Sequence, residues 1–302
     1  MNERTTQRVT ILGLGIMGSA FAQRAAGAGL VVTGWDRNPE RLTALAGDGV
    51  IAARSPAEAV AGADTVVTMV PDADAVLSVM RELGAFAAMA PGSTWAQMAT
   101  VGLAGIEQSA ALAATRPEIT FVDAPVSGSK ATALEGKLIV LASGDRERTN
   151  PATIRFFSSL AAQTDWLGPA GAGTRMKLLL NAWIAVLNEG VAEVLALADT
   201  LGVAPHDLLS VVTGGPLVPP WALAKIAKIA QQRTNEPEFP LRWATKDVNL
   251  ALDAAGDARA RVPILNDIAN VWDAALDQYG TADLSAIYNA LLRRTAAVSA
   301  ST

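Results

Sequence analysis

Val9-Thr10-Ile11-Leu12-Gly13-Leu14-Gly15-Ile16-Met17-Gly18 is the stretch that decides the fold. Its first four residues read as a short buried strand, the glycines follow in Gly-x-Gly-x-x-Gly order, and a helical pattern runs from Ser19 to Gly29. Strand, glycine loop and helix in that order are the fingerprint of a dinucleotide site. Gly13 allows the tight turn, Gly15 lets backbone approach a pyrophosphate, and Gly18 permits close helix–strand packing. Ile16, Met17 and Gly18 then present their N–H groups at a helix N-terminus, where the dipole favours phosphate charge.

Outward from this loop, Leu30 to Trp35 is a second strand ending in Asp36-Arg37-Asn38-Pro39, about twenty residues past the glycines, where a ribose-reading group belongs. Asp36 would accept from a ribose 2′-OH and repel a 2′-phosphate, whereas Arg37 could pair with that phosphate. The two argue opposite ways, with a slight lean to NAD because the acid occupies the strand end; Asn38 completes the candidate set. Further strands are expected at 49–52, 64–71 and 93–97, with a helix capped by Ser55-Pro56 and another from Ala73 to Leu83. Near-continuous apolar strands alternating with helices imply a parallel sheet covered on both faces. Ligands bind at the carboxyl ends of such strands, which places Val70-Pro71 and Thr100 near the nicotinamide half of a cofactor. Thr100 reads equally as a helix cap.

Ile119 to Val122 is a further strand, leading into Asp123-Ala124-Pro125-Val126-Ser127-Gly128-Ser129-Lys130, and Gly136 to Ala142 returns as another. Small residues at Ser127, Gly128 and Ser129 expose successive backbone N–H groups, an anion-binding concavity that suits a carboxylate. A plain loop of small residues is the alternative.

A glycine-rich entry, Gly168 to Gly173, precedes a long apolar helix expected from Thr174, a usable N-cap, to a left-handed end at Gly202. Lys177 and Asn181 lie one turn apart on one face, with Asn188 and Asp199 close to the same line. The helix dipole and an apolar neighbourhood both push a first-turn lysine towards its neutral form, making Lys177 a candidate acid/base.

The chain has 302 residues, ample for two domains, with a 51% hydrophobic content. With 24 basic and 29 acidic side chains, the formal charge of −5 gives no reason to expect nucleic acid or anionic membrane as partners. Cysteine is absent, which excludes disulfides, thiolate metal sites and cysteine nucleophiles. A polar start and a short first apolar run are expected of a cytoplasmic protein. His206, the single histidine, reads as a surface residue at a helix start, and no metal is expected.

Gly13-x-Gly15-x-x-Gly18, Asp123-Ala124-Pro125-Val126-Ser127-Gly128, Gly171-x-Gly173-x-x-x-Lys177-x-x-x-Asn181 and Lys246-Asp247, in that order over almost the whole chain, resemble the β-hydroxyacid dehydrogenase family. The resemblance implies a Rossmann domain, residues 1–170, followed by an all-helical domain, 171–302, built round one long helix, with the active site in the cleft between them. It implies NAD(P)H as cofactor, Lys177 as acid/base and Asn181 as substrate holder. Ser127, Gly128 and Ser129 would take the substrate carboxylate. Lys246, beside the cofactor, and Asp247, beside the substrate, would close the site. Members include 3-hydroxyisobutyrate dehydrogenase, tartronate semialdehyde reductase and glyoxylate/succinic semialdehyde reductase. Ser127-Gly128-Ser129-Lys130 and Phe239-Pro240-Leu241-Arg242 resemble the glyoxylate/succinic semialdehyde branch, whereas Asp36-Arg37-Asn38 resembles the tartronate branch. Ala99 stands where a serine is common, and Arg175 where a small residue is common.

Amphipathic helices without strand signals are expected from 205 to 296, and the apolar long helix suggests a homodimer or homotetramer through residues 174–300. Two other functions share this architecture: imine reduction, against which the retained Lys177 argues, and non-catalytic cofactor binding, for which Lys177 or Asn181 should be replaced.

Overall fold

The apolar strands lie side by side in one sheet in the computed structural model, which describes residues 7–299 and the side chains of residues 7–293. In chain order the first unit runs β1 (Arg8–Leu12), α1 (Ile16–Gly27), β2 (Val31–Trp35), α2 (Pro39–Thr43), β3 (Val50–Ala52), α3 (Pro56–Val60) and β4 (Thr65–Thr68). It continues with α4 (Ala73–Leu77), a π-helical turn over Ser78–Glu82, α5 (Ala85–Ala88), β5 (Thr94–Gln97), α6 (Gly102–Ala114), β6 (Thr120–Asp123), β7 (Val126–Ser127) and α7 (Lys130–Leu134). β8 (Leu138–Gly144), α8 (Pro151–Leu160) and β9 (Ala161–Trp166) complete it.

The sheet order is β3-β2-β1-β4-β5-β6-β8-β7, with β9 on β8. β1 to β6 pair in parallel, β8 runs antiparallel to β6 and β7, and β9 is parallel to β8. The order reverses at β1, whose neighbours are β2 and β4, and the glycine loop leaves the sheet at that switch point. Each face buries its own core: Ile11, Phe21, Val32 and Phe156 on one side, Leu12, Val66, Met80 and Trp95 on the other. Sequence signals assign nothing to 143–167. α8 starts there on an Asn150 side-chain cap with Pro151 following, and β9 is a half-exposed edge strand too polar to show apolar alternation.

Contacts divide the chain into two compact units between Lys177 and Leu178, inside α9 (Ala172–Thr200). The helix begins two residues before the expected Thr174, because its cap is not local. Asp123, at the end of β6, accepts from Gly171 N at 3.1 Å, Thr174 N at 2.8 Å and the Thr174 hydroxyl at 2.8 Å. Ser143 Oγ donates to the same carboxylate and accepts from Gly173 N. Burial pushes the Asp123 carboxyl above the ordinary range, against the pull of these donors. Gly202 (φ +70°) ends α9 as expected, with Val203 N bonding Ala198 O and Gly202 N bonding Asp199 O in a Schellman arrangement.

The second unit continues with α10 (Pro205–Val212), α11 (Pro220–Ala230), α12 (Leu241–Ala255), α13 (Pro263–Asp273), α14 (Leu276–Tyr279) and α15 (Ile287–Ser299). Among its described residues the β pairing is a single bridge between Pro240 and Asp283. Trp272, Leu241, Val248 and Leu284 lead its core. By length and composition α9 could cross a membrane. Its polar residues argue for packing in protein instead: Asn188 Nδ2 donates to Leu284 O, and Glu189 accepts from Trp272 Nε1 at 2.6 Å.

Candidate active site

The glycine loop shows the three demands read from the sequence. A Cβ on Gly13 (φ +100°) would stand 2.5 Å from Met69 O and 2.8 Å from Val70 Cγ1, so this turn and the loop after β4 are in mutual contact. A Cβ on Gly18 would sit 1.9 Å from Gly13 O, which only glycine avoids. Gly15 differs: the nearest group to its Cβ position is Arg41 Nη1 at 3.9 Å, so backbone here faces open space. Gly15 is also the N-cap of α1, with no side-chain acceptor, and the first turn carries no acid. The N–H groups of Ile16, Met17 and Gly18 are thus presented with no capping side chain, the arrangement a pyrophosphate needs.

Asp36 ends β2 as expected, but its carboxylate is already occupied. Oδ2 accepts from Leu14 N at 2.7 Å and from Arg41 Nη1 at 3.1 Å, and Oδ1 accepts from Asn38 N at 2.9 Å. Arg37 is exposed, and the Asn38 side chain caps α2 by accepting from Glu40 N. Arg41 is absent from the sequence-derived set. A basic residue five positions past the strand-end acid is the signal that could have found it.

Val70 is half-buried and Pro71 exposed, and Asp72 caps α4 through Ala75 N. Thr100 lies past the carboxyl end of β5, next to Val101, the residue that precedes α6. The loop holding Thr100 is braced by buried Gln97, whose amide bonds both N and O of Ala99 and receives Thr68 Oγ1.

In the second small-residue segment, Ser127 ends β7 half-buried, and Gly128 has φ +136°. A Cβ on Gly128 would meet Leu138 Cδ2 and Thr132 Oγ1, each at 2.5 Å. Ser129 is paired locally: its N–H donates to Thr132 Oγ1 at 2.7 Å and its hydroxyl accepts from Thr132 N, a capping box that starts α7. The groups of this segment left to meet an anion are those of Ser127 and Gly128.

On α9, Lys177 is half-buried and Asn181, one turn on, is 3% exposed. Asn181 Nδ2 donates to Asp247 Oδ2 at 2.6 Å, and Asp247 Oδ1 pairs with Lys246 Nζ at 3.0 Å. α12 thereby brings Asp247 to Asn181, with Lys246 paired to the far oxygen of the same carboxylate. Asn181 Oδ1 is buried without a protein partner, an acceptor suited to a substrate hydroxyl or ammonium. His206 lies on the surface, paired with Asp207. Among the described residues no group of three or more His, Cys, Asp or Glu is placed to hold a metal.

Residues 8–168 match the family described as the NAD binding domain of 6-phosphogluconate dehydrogenase, and residues 171–291 match the NAD-binding domain of NADP-dependent 3-hydroxyisobutyrate dehydrogenase. Glyoxylate/succinic semialdehyde reductase 1 of Arabidopsis thaliana is 34% identical over 83% of this chain and 86% of its own. The chain belongs to the β-hydroxyacid dehydrogenase family. A probable 3-hydroxyisobutyrate dehydrogenase of Mycobacterium tuberculosis is 30% identical over 95% of this chain and 98% of its own. The crystal structure of 3-hydroxyisobutyrate dehydrogenase from Salmonella typhimurium superposes with a TM-score of 0.85, at 28% identity over 94% and 99% of the two chains. This β-hydroxyacid dehydrogenase is therefore an NAD(P)-dependent oxidoreductase, and its glycine loop fits the cofactor that the family uses.

Proposed function

We propose that this β-hydroxyacid dehydrogenase interconverts a small semialdehyde acid and its hydroxy acid, with Lys177 as acid/base. The observation that carries the reading is the Lys177-to-Asn181 turn of α9, with Asn181 held by buried Asp247 and keeping one carbonyl acceptor for a ligand. The nicotinamide, when bound, supplies or accepts the hydride. Ser127 and Gly128 anchor the substrate carboxylate, which aligns the neighbouring carbonyl for reaction and restricts its motion. Lys177 donates a proton to the carbonyl oxygen during reduction and removes it from the hydroxyl in the reverse direction. Asn181 Oδ1 accepts from a hydroxyl of the hydroxy-acid form, its amide kept from rotating by Asp247. The semialdehyde class is supported by the named activities of the relatives.

Oxidation of NADH and NADPH with glyoxylate, succinic semialdehyde, tartronate semialdehyde and methylmalonate semialdehyde tests this. At least one is expected to turn over with kcat/KM above about 10⁴ M⁻¹s⁻¹, the lower range for dedicated enzymes. No turnover with any of the four sinks the reading and favours imine reduction or non-catalytic cofactor binding.

The protein is proposed to be cytoplasmic and to form a homodimer or homotetramer through α9. Met176, Leu179, Trp183, Val194 and Leu197 lie exposed along this helix, and Leu201 just past its end, with Leu179 66% and Trp183 59% exposed. An apolar stripe of this length on one helix suits a self-complementary interface. Light scattering at micromolar concentration is expected to give a multiple of 31.2 kDa, and Trp183→Glu to shift the population towards monomer. A monomeric parent overturns the interface.

A further inference from the structure

Asp36 is the residue that should favour NAD, yet its surroundings remove most of its capacity to do so. A carboxylate offers about four acceptor positions. Three are used, by Leu14 N, Asn38 N and Arg41 Nη1. A bidentate grip on a ribose diol needs two, so it could form only by displacing one of these donors. The negative charge that would repel a 2′-phosphate is also paired, since Arg41 lies 3.1 Å from Oδ2.

Arg41 is itself placed to do more. Its side chain is 51% exposed, while that of Asp36 is 5% exposed, so the pair shows its cationic partner to solvent. Its Nη1 is also the closest atom to the open side of Gly15, so the guanidinium borders the loop over which a dinucleotide must pass. A guanidinium carries five donors in a planar fork, of which Asp36 takes one, and the fork matches the oxygens of a phosphate monoester. Arg37, exposed on the same turn, adds a second cation.

We propose that Arg41 is the cofactor-discriminating residue of this chain, neutralising Asp36 and taking the adenosine 2′-phosphate with Arg37, so that NADP(H) binds at least as tightly as NAD(H). The proposal rests on the glycine loop being the dinucleotide site, and binding without turnover tests the two separately. Titration calorimetry with 2′,5′-ADP and 5′-AMP reads the 2′-phosphate directly. In the parent, 2′,5′-ADP is expected to bind at least tenfold tighter than 5′-AMP. Arg41→Ala is expected to lose about tenfold on 2′,5′-ADP, a charge-assisted phosphate contact, and to bind 5′-AMP as well as the parent or better, because one acceptor position of Asp36 is freed for the ribose. Arg41→Lys, which keeps the charge and loses the fork, should fall between. A parent that binds both nucleotides equally, or an Arg41→Ala variant that weakens both by one factor, overturns the assignment while leaving the dinucleotide site intact. Failure of the parent to bind either nucleotide, NADH or NADPH overturns the dinucleotide site and the assignment together.

Discussion

Lys177→Ala is expected to lower kcat for semialdehyde reduction by about 10²–10⁴-fold, the range for removing a positioned general acid. That corresponds to about 3–5 kcal/mol of transition-state stabilisation at 1.36 kcal/mol per decade. Cofactor affinity is expected to remain within about twofold, because the residues at the glycine loop are untouched. Lys177→Arg separates two roles that alanine removes together. Arginine keeps the positive charge but stays protonated across the working range, so it can orient an oxyanion without giving up a proton. If proton transfer is the task, arginine should be nearly as impaired as alanine; if charge alone matters, it should recover most of the rate. An alanine variant within tenfold of the parent would remove Lys177 from the chemistry.

The second large effect is on stability. Asp123→Ala is expected to destabilise the N-terminal unit by roughly 3–5 kcal/mol, because it removes the acceptor of the buried donors at Gly171 N, Thr174 N and Thr174 Oγ1 together. Asp123→Asn is expected to cost under about 1 kcal/mol. Its carbonyl can replace Oδ2 before the two amides, and its NH₂ can donate to Thr174 Oγ1, whose hydroxyl rotates to accept. The pair of variants also has a pH signature. Burial raises the Asp123 carboxyl in the folded state, so its contribution is full below the ordinary aspartate range and is lost as pH rises through the elevated folded value. The asparagine variant lacks this dependence and should gain on the parent as pH climbs through the weakly acid range. Thermal melts of parent, alanine and asparagine forms across that range check both points. Equal stability of the parent and alanine forms would show that the carboxylate does not hold the helix start.

Much of the fold was legible because local and global signals agree. The glycine loop lies between a buried strand and a helix, Ser55-Pro56 starts α3, and Gly202 ends α9, all decided within a few residues. What escaped depends on groups far apart in the chain. Thr174 looked like the cap of α9, but the acceptor is Asp123, 51 residues earlier, so the helix gains a further turn's start towards Ala172. Asp36 was legible as the strand-end acid, whereas its pairing was not, since Arg41 reaches it only through the geometry of α2. Ser129 carried the right chemistry for an anion, and its use in a capping box depends on Thr132 adopting the complementary rotamer. Edge strand β9 gave no signal because half of its residues are polar. Lys246 and Asp247 were legible as a motif, and the structure adds that Asp247 holds the Asn181 amide.

The Asp123 anchor also bears on how such chains can be recombined. The two family matches break at 168 and 171, where a cut looks free of consequence. Yet residues 171–174 complete the hydrogen bonding of a carboxylate on β6, and α9 runs on unbroken past Lys177. A chimaera joined at that gap, with a donor helix lacking Thr174 or small residues at 171 and 173, would carry a misfit inside its N-terminal half. Exchange of the halves between relatives should therefore succeed only where the opening turn of the long helix travels with the strand that holds it.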